Sequence, residues 1–187
     1  MLVSTARLQF DTLRPEDAEA LFRYRADPVV ARYQGWCPAS VSEAREFIAA
    51  QQTLTLDTSG SWVQQALRLP TAGTLIGDLG VHIPARREES VEFGVTIAPQ
   101  HQRHGYASEA ARGLFTHVFG PMERHRVHAS VDPRNLASMA MLRGLGMRQE
   151  AHHRQSLWFH DEWVDDVVFA ILGEEWRAAR TGAGALA

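Results

Sequence analysis

Val91-Glu-Phe-Gly-Val-Thr-Ile-Ala-Pro-Gln-His-Gln-Arg-His-Gly-Tyr-Ala-Ser-Glu-Ala110 changes its periodicity part-way along. Val91, Phe93, Val95 and Ile97 are apolar and alternate with Glu92, Gly94 and Thr96, the period of a half-buried strand. Pro99 has no amide to give a ladder, so the strand ends there. From Ala107 the apolar positions become Ala107, Ala110, Ala111, Leu114, Phe115, Val118 and Phe119, one face of an amphipathic helix that Gly120-Pro121 terminates. Between the two lies Gln102-Arg-His-Gly-Tyr-Ala107, a loop feeding a helix N-terminus. Such a loop offers unpaired amides and the positive end of the helix dipole. Gly105 and Ala107 leave room for a ligand to come close to the backbone. The place suits a phosphate or pyrophosphate; the bland alternative is a plain strand-to-helix turn. No Lys-Ser/Thr follows the glycine, which excludes a P-loop, and the three glycines of a dinucleotide fingerprint are missing.

Upstream, Ala6 to Leu13 reads as a strand, and Pro15 opens a helix on which Ala18, Leu21, Phe22 and Arg25 share a face. Asp27-Pro28 breaks it, and a short Val29–Tyr33 segment leads into a loop from Gln34 to Pro38. Ser40 with Glu43 predicts a capped helix over Val41 to Leu56. Trp62–Leu69 and Thr74–Ile83 read as a hairpin, and Pro84 to Glu89 is a charged connection to the central strand. Downstream, Arg126–Val131 places Val127, Ala129 and Val131 on one face and His128 and Ser130 on the other. The Asn135 helix is apolar almost all round except Arg143, which predicts extensive burial. Met147–Trp158 and Trp163–Leu172 form a final hairpin turning near His160-Asp161. The order is a strand, helices, four strands, a helix, a strand, a helix and two strands, hence a mixed sheet flanked by helices. Residues 1–180 are expected to form one domain, with a disordered tail over 181–187.

With 187 residues, 45% of them hydrophobic, the chain holds enough apolar surface for one sizeable core. The net charge is −3, and basic residues cluster only at Arg86-Arg87 and Arg124-His-Arg126, so nucleic acid is not an expected partner. The single cysteine, Cys37, excludes an internal disulfide and fits a reducing cytoplasm. The first residues lack the order of a signal peptide, and the longest apolar run, Val167 to Leu172, is too short to span a bilayer. No metal and no membrane partner is expected.

Gln102–Ala107 fits the pattern Gln/Arg-x-x-Gly-x-Gly/Ala. Asn135-Leu-Ala-Ser138 followed by Gly146-Met147, Gly77-Asp-Leu-Gly80 and Asp165-Asp-Val-Val-Phe169 add three further motifs. On these the chain, from about Ala6 to Trp176, resembles the GNAT superfamily of acetyl-coenzyme A N-acetyltransferases, in particular its RimJ/RimL-like branch. The resemblance implies an α/β (α+β) fold with a mostly antiparallel, seven-stranded mixed sheet, splayed where Val91–Ala98 and Arg126–Asp132 run parallel. It implies acetyl-CoA as cosubstrate, a primary amine (a protein N-terminus or a small amine) as acceptor, and compatibility with a homodimer. Amides from Gln102, Arg103, His104, Gly105, Tyr106, Ala107 and Ser108 would hold the pyrophosphate, and Phe93 to Ile97, with Phe93 and Val95, the pantetheine arm. A backbone amide near Gly94–Val95 would stabilise the oxyanion. Asn135 is read as a cofactor contact rather than a turn cap, and Arg103 stands where glycine is common.

Glu92 is the first candidate for a base that takes the amine's proton, with a salt-bridged sheet residue as the equal alternative. His82 and His128 could serve instead, and Asp78 shares that doubt. Many family members place a tyrosine seven residues after the asparagine; here that position is Leu142, and Ser138 inherits the role of acid by resemblance. Tyr33, Trp36, His82, His128 and Trp158 are candidate acceptor-cleft residues, with Trp36 favoured because it lies in a loop. Trp62 and Trp176 read as core anchors. The rival from another class is a CoA-binding sensor that has lost its chemistry, motivated by Leu142.

Overall fold

The computed structural model describes residues 3–86 and 89–183. Residues 87 and 88 of the charged connection, and 184–187 of the tail, lie outside the described residues. Strand β1 is Gln9–Thr12, shorter than the sequence period suggests because the chain before it folds back: Phe10 N donates to Val3 O and Thr5 N to Leu8 O. A 3-10 turn at Pro15–Asp17 leads into α1 (Ala18–Arg25) and then a single turn, α2 (Pro28–Ala31), which Asp27 caps by accepting from Val29 N. Helix α3 is Val41–Gln51, capped by Ser40, which accepts from Glu43 N. Glu43 in turn accepts from Ala39 N at 2.8 Å.

Three strands follow, not four: β2 (Trp62–Leu69), β3 (Thr74–His82) and β4 (Ser90–Ile97). Helix α4 (Tyr106–Phe119), β5 (Arg126–Val131) and α5 (Leu136–Gly144) precede the hairpin β6 (Arg148–Phe159) and β7 (Glu162–Leu172). Helix α6, Gly173–Ala183, closes the described chain. It extends to Ala183, into the segment expected to be disordered, and Trp176 is buried against Phe115 and Phe119, as expected of a core anchor.

The seven strands lie in the order β1-β2-β3-β4-β5-β7-β6, and every pairing is antiparallel except β4 with β5. That parallel ladder holds only Ser90↔Arg126, Val91↔Val127 and Glu92↔His128, although both strands continue beyond it. The expected splay is therefore present. Gly77 lets β3 approach β4: a Cβ there would meet Thr96 O at 2.1 Å. Edge strand β6 breaks register with β7 twice, between Gln149 and Ala151 and between His153 and Leu157.

One face of the sheet packs Phe10, Leu79, Val91, Phe93, Val127 and Phe169 against Leu114, Phe115 and Val118 of α4. A second apolar cluster joins Leu21, Tyr24, Ala44 and Ile48 on the helices before β2. Helix α5 is not buried as its composition suggests. Leu142 is enclosed, but Leu136 is 74% exposed, because only one side of α5 meets the sheet and its N-terminus stands over the gap between β4 and β5. Among the described residues no helix is long and apolar enough to cross a membrane.

Candidate active site

The splay opens two cavities that meet. One, of about 500 Å³, runs from the β4–α4 loop (Gln102, Arg103, Gly105 to Ser108) along Val95 to Ile97. The other, of about 440 Å³, lies between the diverging strands and is walled by Glu92, Phe93, Gly94, Ser130, Asp166, Trp62 and Phe159. Tyr33, Gln34, Val95, Asn135, Ser138 and Met141 line both, so the two form one channel.

At the loop end, Gly105 is the residue before α4, with φ 81°, and Arg103 has φ 64°. The left-handed turn at Arg103 explains why glycine suits that position. The turn carries the amides of Tyr106, Ala107 and Ser108 to the first turn of α4, where the helix has no carbonyl for them. Gln102 Nε2 donates to Ile97 O at 2.9 Å, tying the loop to the end of β4. The His104 side chain lies outside the groove against Gln102 O, while its carbonyl accepts from Arg7 Nη1 at 3.0 Å. Arg7 also pairs with Glu109 and lies over the Tyr106 ring at 4.7 Å, and Thr5 Oγ1 donates to Glu109 at 2.6 Å. The chain before β1 thus clamps the loop from behind, an arrangement no local pattern signals.

Strand β4 supplies the wall. Glu89 O accepts from Arg126 N, so Glu89 faces β5, and backbone alternation turns the N–H and C=O of Val91, Phe93 and Val95 the same way. Because the parallel ladder stops at Glu92, Val95 N–H faces the gap. The Phe93 side chain points the other way, edge-on to Phe115 with ring centroids 5.3 Å apart.

On the open face, His82, Glu92 and His128 stand side by side across β3, β4 and β5. Glu92 Oε2 is 3.7 Å from His82 Nδ1 and 3.8 Å from His128 Nε2. Burial lifts the Glu92 carboxyl above its ordinary value; His82 pulls it down and Asp166 adds to the rise. Burial lowers His128, helped by the Arg126 charge. Only Glu92 of the three lines the cavity; the two histidines flank it.

Asp78 cannot be the base. It is 0% exposed and accepts from Tyr24 Oη at 2.9 Å and from two nitrogens of Arg25. Arg25 passes its remaining reach to Gln34 Oε1 at 3.0 Å. Asn135 caps α5, its Oδ1 accepting from Ser138 N at 3.1 Å, which leaves its side-chain amide as the group free to meet a ligand. The Ser138 hydroxyl bonds nothing among the described residues, so it is not held by a helix carbonyl.

Of the aromatic candidates, Tyr33 lines the channel and its hydroxyl donates to Arg134 O at 3.3 Å, bridging the segment after α2 to the start of α5. Trp36 does not line either cavity; it stacks on Phe47 at 4.2 Å, beneath Arg25, because its loop folds onto α3. Trp158 is 56% exposed and packs on Trp163 at the hairpin end, outside the cavities. Trp62, expected in the core, is 41% exposed, stacks on His82 and lines the cleft. Gln34 and Phe159 also line it and carried no motif; Asp166, from the Asp165–Phe169 motif, lines it too. Among the described residues no cluster of His, Cys, Asp and Glu could hold a metal ion.

Residues 7–148 match the acetyltransferase (GNAT) domain. The chain belongs to the GNAT acetyltransferase family. It is 29% identical over 176 residues to the uncharacterized N-acetyltransferase YnaD of Bacillus subtilis, covering 94% of this chain and 99% of that one. A GNAT-family acetyltransferase from Bacillus anthracis superposes with a TM-score of 0.83 at 26% identity, covering 93% of this chain and 99% of that one. RimL, a ribosomal L7/L12 α-N-protein acetyltransferase solved in complex with coenzyme A, shares the fold with a TM-score of 0.80 at 16% identity, over 92% of this chain and 98% of that one.

Proposed function

We propose that this GNAT enzyme transfers an acetyl group from acetyl-CoA directly to a primary amine, in the manner of the RimJ/RimL-like branch. The observation that carries the reading is the single channel, which joins the first-turn amides of α4 to the β4 edge at Val95 and opens on Glu92. Those residues fit the cosubstrate. Unpaired amides at a helix start suit a diphosphate, and a half-free strand edge suits an amide-bearing arm. The thioester, when bound, supplies an activated acetyl carbonyl.

Positioning in the channel does much of the work. An alkyl amine arrives mostly as ammonium at neutral pH, with a pKa of about 8 to 10.4. The acceptor cavity presents Glu92, Asp132, Asp165 and Asp166; Asp132 is paired with Arg134 and Asp165 with His152, so Glu92 and Asp166 are the carboxylates that favour that cation. Glu92, lifted by burial, takes the proton directly or through water. The Ser138 hydroxyl, which lines both cavities, is the group to protonate the leaving thiolate in this reading, while Leu142 fills the position of the tyrosine common elsewhere. Both a protein N-terminus and a small amine satisfy this chemistry. The exposed Cys37 thiol supports a reducing compartment, the cytoplasm.

Thiol release from acetyl-CoA, measured with a panel of α-amino peptides, diamines and aminoglycosides, tests the reading. Acceptor-dependent product is expected. Coenzyme A binding with no product across the panel would favour the sensor motivated by Leu142, and no binding by calorimetry would end both readings.

A further inference from the structure

We infer that the side-chain amide of Gln34 is a second oxyanion donor, its Nε2–H facing Val95 N–H across the bound thioester carbonyl; this rests on the function proposed above. Gln34 Oε1 accepts from Arg25 Nη1 and from Thr96 Oγ1, each at 3.0 Å. A guanidinium has no acceptor, so the oxygen end must face Arg25 and the nitrogen end must face away. Arg25 cannot yield, because it is 6% exposed and its other nitrogens are held by Asp78, itself steadied by Tyr24. Thr96 is buried beside Asp78 in the register of β3 with β4. The orientation of one amide is therefore imposed by a network reaching from α1 through two strands.

The free end of that amide opens on the channel. Gln34 Nε2 has no hydrogen-bond partner among the described residues and is not one of the buried unpartnered atoms. Gln34 lines both cavities, so it stands where the cofactor arm and the acceptor meet. Of the other polar groups at that junction, Tyr33 Oη donates to Arg134 O and Asn135 Oδ1 accepts from Ser138 N, while Asn135 Nδ2 and Ser138 Oγ, also without partners among the described residues, are assigned to the cofactor arm and the leaving thiolate. As the amine nitrogen bonds to the carbonyl carbon, the π pair moves onto oxygen. Gln34 Nε2–H and Val95 N–H meet that charge. The pair returns as the C–S bond breaks, the amine proton goes to Glu92 and the thiolate is protonated. A donor fixed in advance stabilises the charge without reorganising when it forms.

The test is Gln34→Leu, of similar volume, assayed by steady-state kinetics and by calorimetry with acetyl-CoA and with CoA. Removing one oxyanion donor typically costs about 10²-fold or more in kcat. Here kcat should fall on that order, CoA affinity should hold, and the acetyl-CoA to CoA affinity ratio should drop. Gln34→Glu keeps the Arg25 bond but turns an acceptor toward the carbonyl, and should lose at least as much if the leucine variant does not fold. Either variant folding with kcat and the affinity ratio within threefold of the parent would overturn the inference. If the parent binds both ligands but turns over no amine, the affinity ratio alone decides. Failure of the parent to bind either ligand would overturn the functional reading itself and this inference with it.

Discussion

Replacing Asp78 by alanine tests the polar network beneath the site. Asp78 is 0% exposed and accepts three hydrogen bonds, one from Tyr24 and two from Arg25. Burial works against the Arg25 charge, but Asp78 outweighs it and holds the guanidinium protonated. Removing the carboxylate strands a cation and a phenol in a closed space. Removing one partner of such a pair costs about 3–5 kcal/mol. For a chain of this size that corresponds to a Tm lower by about 6 to 20 °C, a large part of a typical total stability of about 5–15 kcal/mol. Urea unfolding followed by circular dichroism should show the midpoint falling with the slope unchanged. Asp78→Asn keeps one acceptor oxygen and should lose less. Arg25→Met combined with Asp78→Leu should recover most of the loss, since an apolar pair of similar volume can replace a buried ion pair at little cost. A loss under about 1 kcal/mol in Asp78→Ala, well below that range, with no benefit from the double change, would refute the reasoning.

Gly105→Ala places an L side chain at φ 81°, at a cost of roughly 1–2 kcal/mol, and calorimetry should show weaker CoA binding as the first-turn amides shift. Glu92 is raised, so the proton it prefers in the fold adds stability at acid pH that is lost as pH rises through the folded value. Glu92→Gln should therefore raise Tm at pH 7, with the gain shrinking on acidification. The acid limb of the parent's kcat/KM profile should vanish in the variant if Glu92 is the base; an unchanged profile moves the role to a histidine or water. Burial raises the Glu109 carboxyl, but donors from Thr5 and Arg7 outweigh it and hold it low. Its contribution is present above the ordinary carboxylate value and lost as pH falls through the folded one. Glu109→Gln should flatten that acid dependence of Tm and speed amide exchange at Thr5 and Leu8.

Alternation at Val91–Ile97 and the switch to a 3.6 period at Ala107 placed the central strand and helix because both are local patterns. The hairpins were legible for the same reason. Burial of α5 was not, since apolar composition does not say how many sides a helix will have covered. Trp36 and Trp62 exchanged their expected places: a tryptophan's destination depends on which loop folds over it, and neither neighbourhood carries a period. Gln34 and the clamp from Arg7 to Glu109 join residues 62 and 102 positions from their partners. No spacing rule reaches that far.

Three residue pairs carry all the ladder between a four-stranded half-sheet and a three-stranded one. The molecule is thus stitched along a short seam, with α4 packed beneath as backing. Along the β4 edge that faces β5, deuterium uptake should be quickest at Val95, past the last stitch. A cosubstrate lying along that edge would act as the missing thread, adding about 2.7 kcal/mol of stability at a hundredfold excess over its dissociation constant. Catalysis and mechanical integrity are then two readings of one unfinished join.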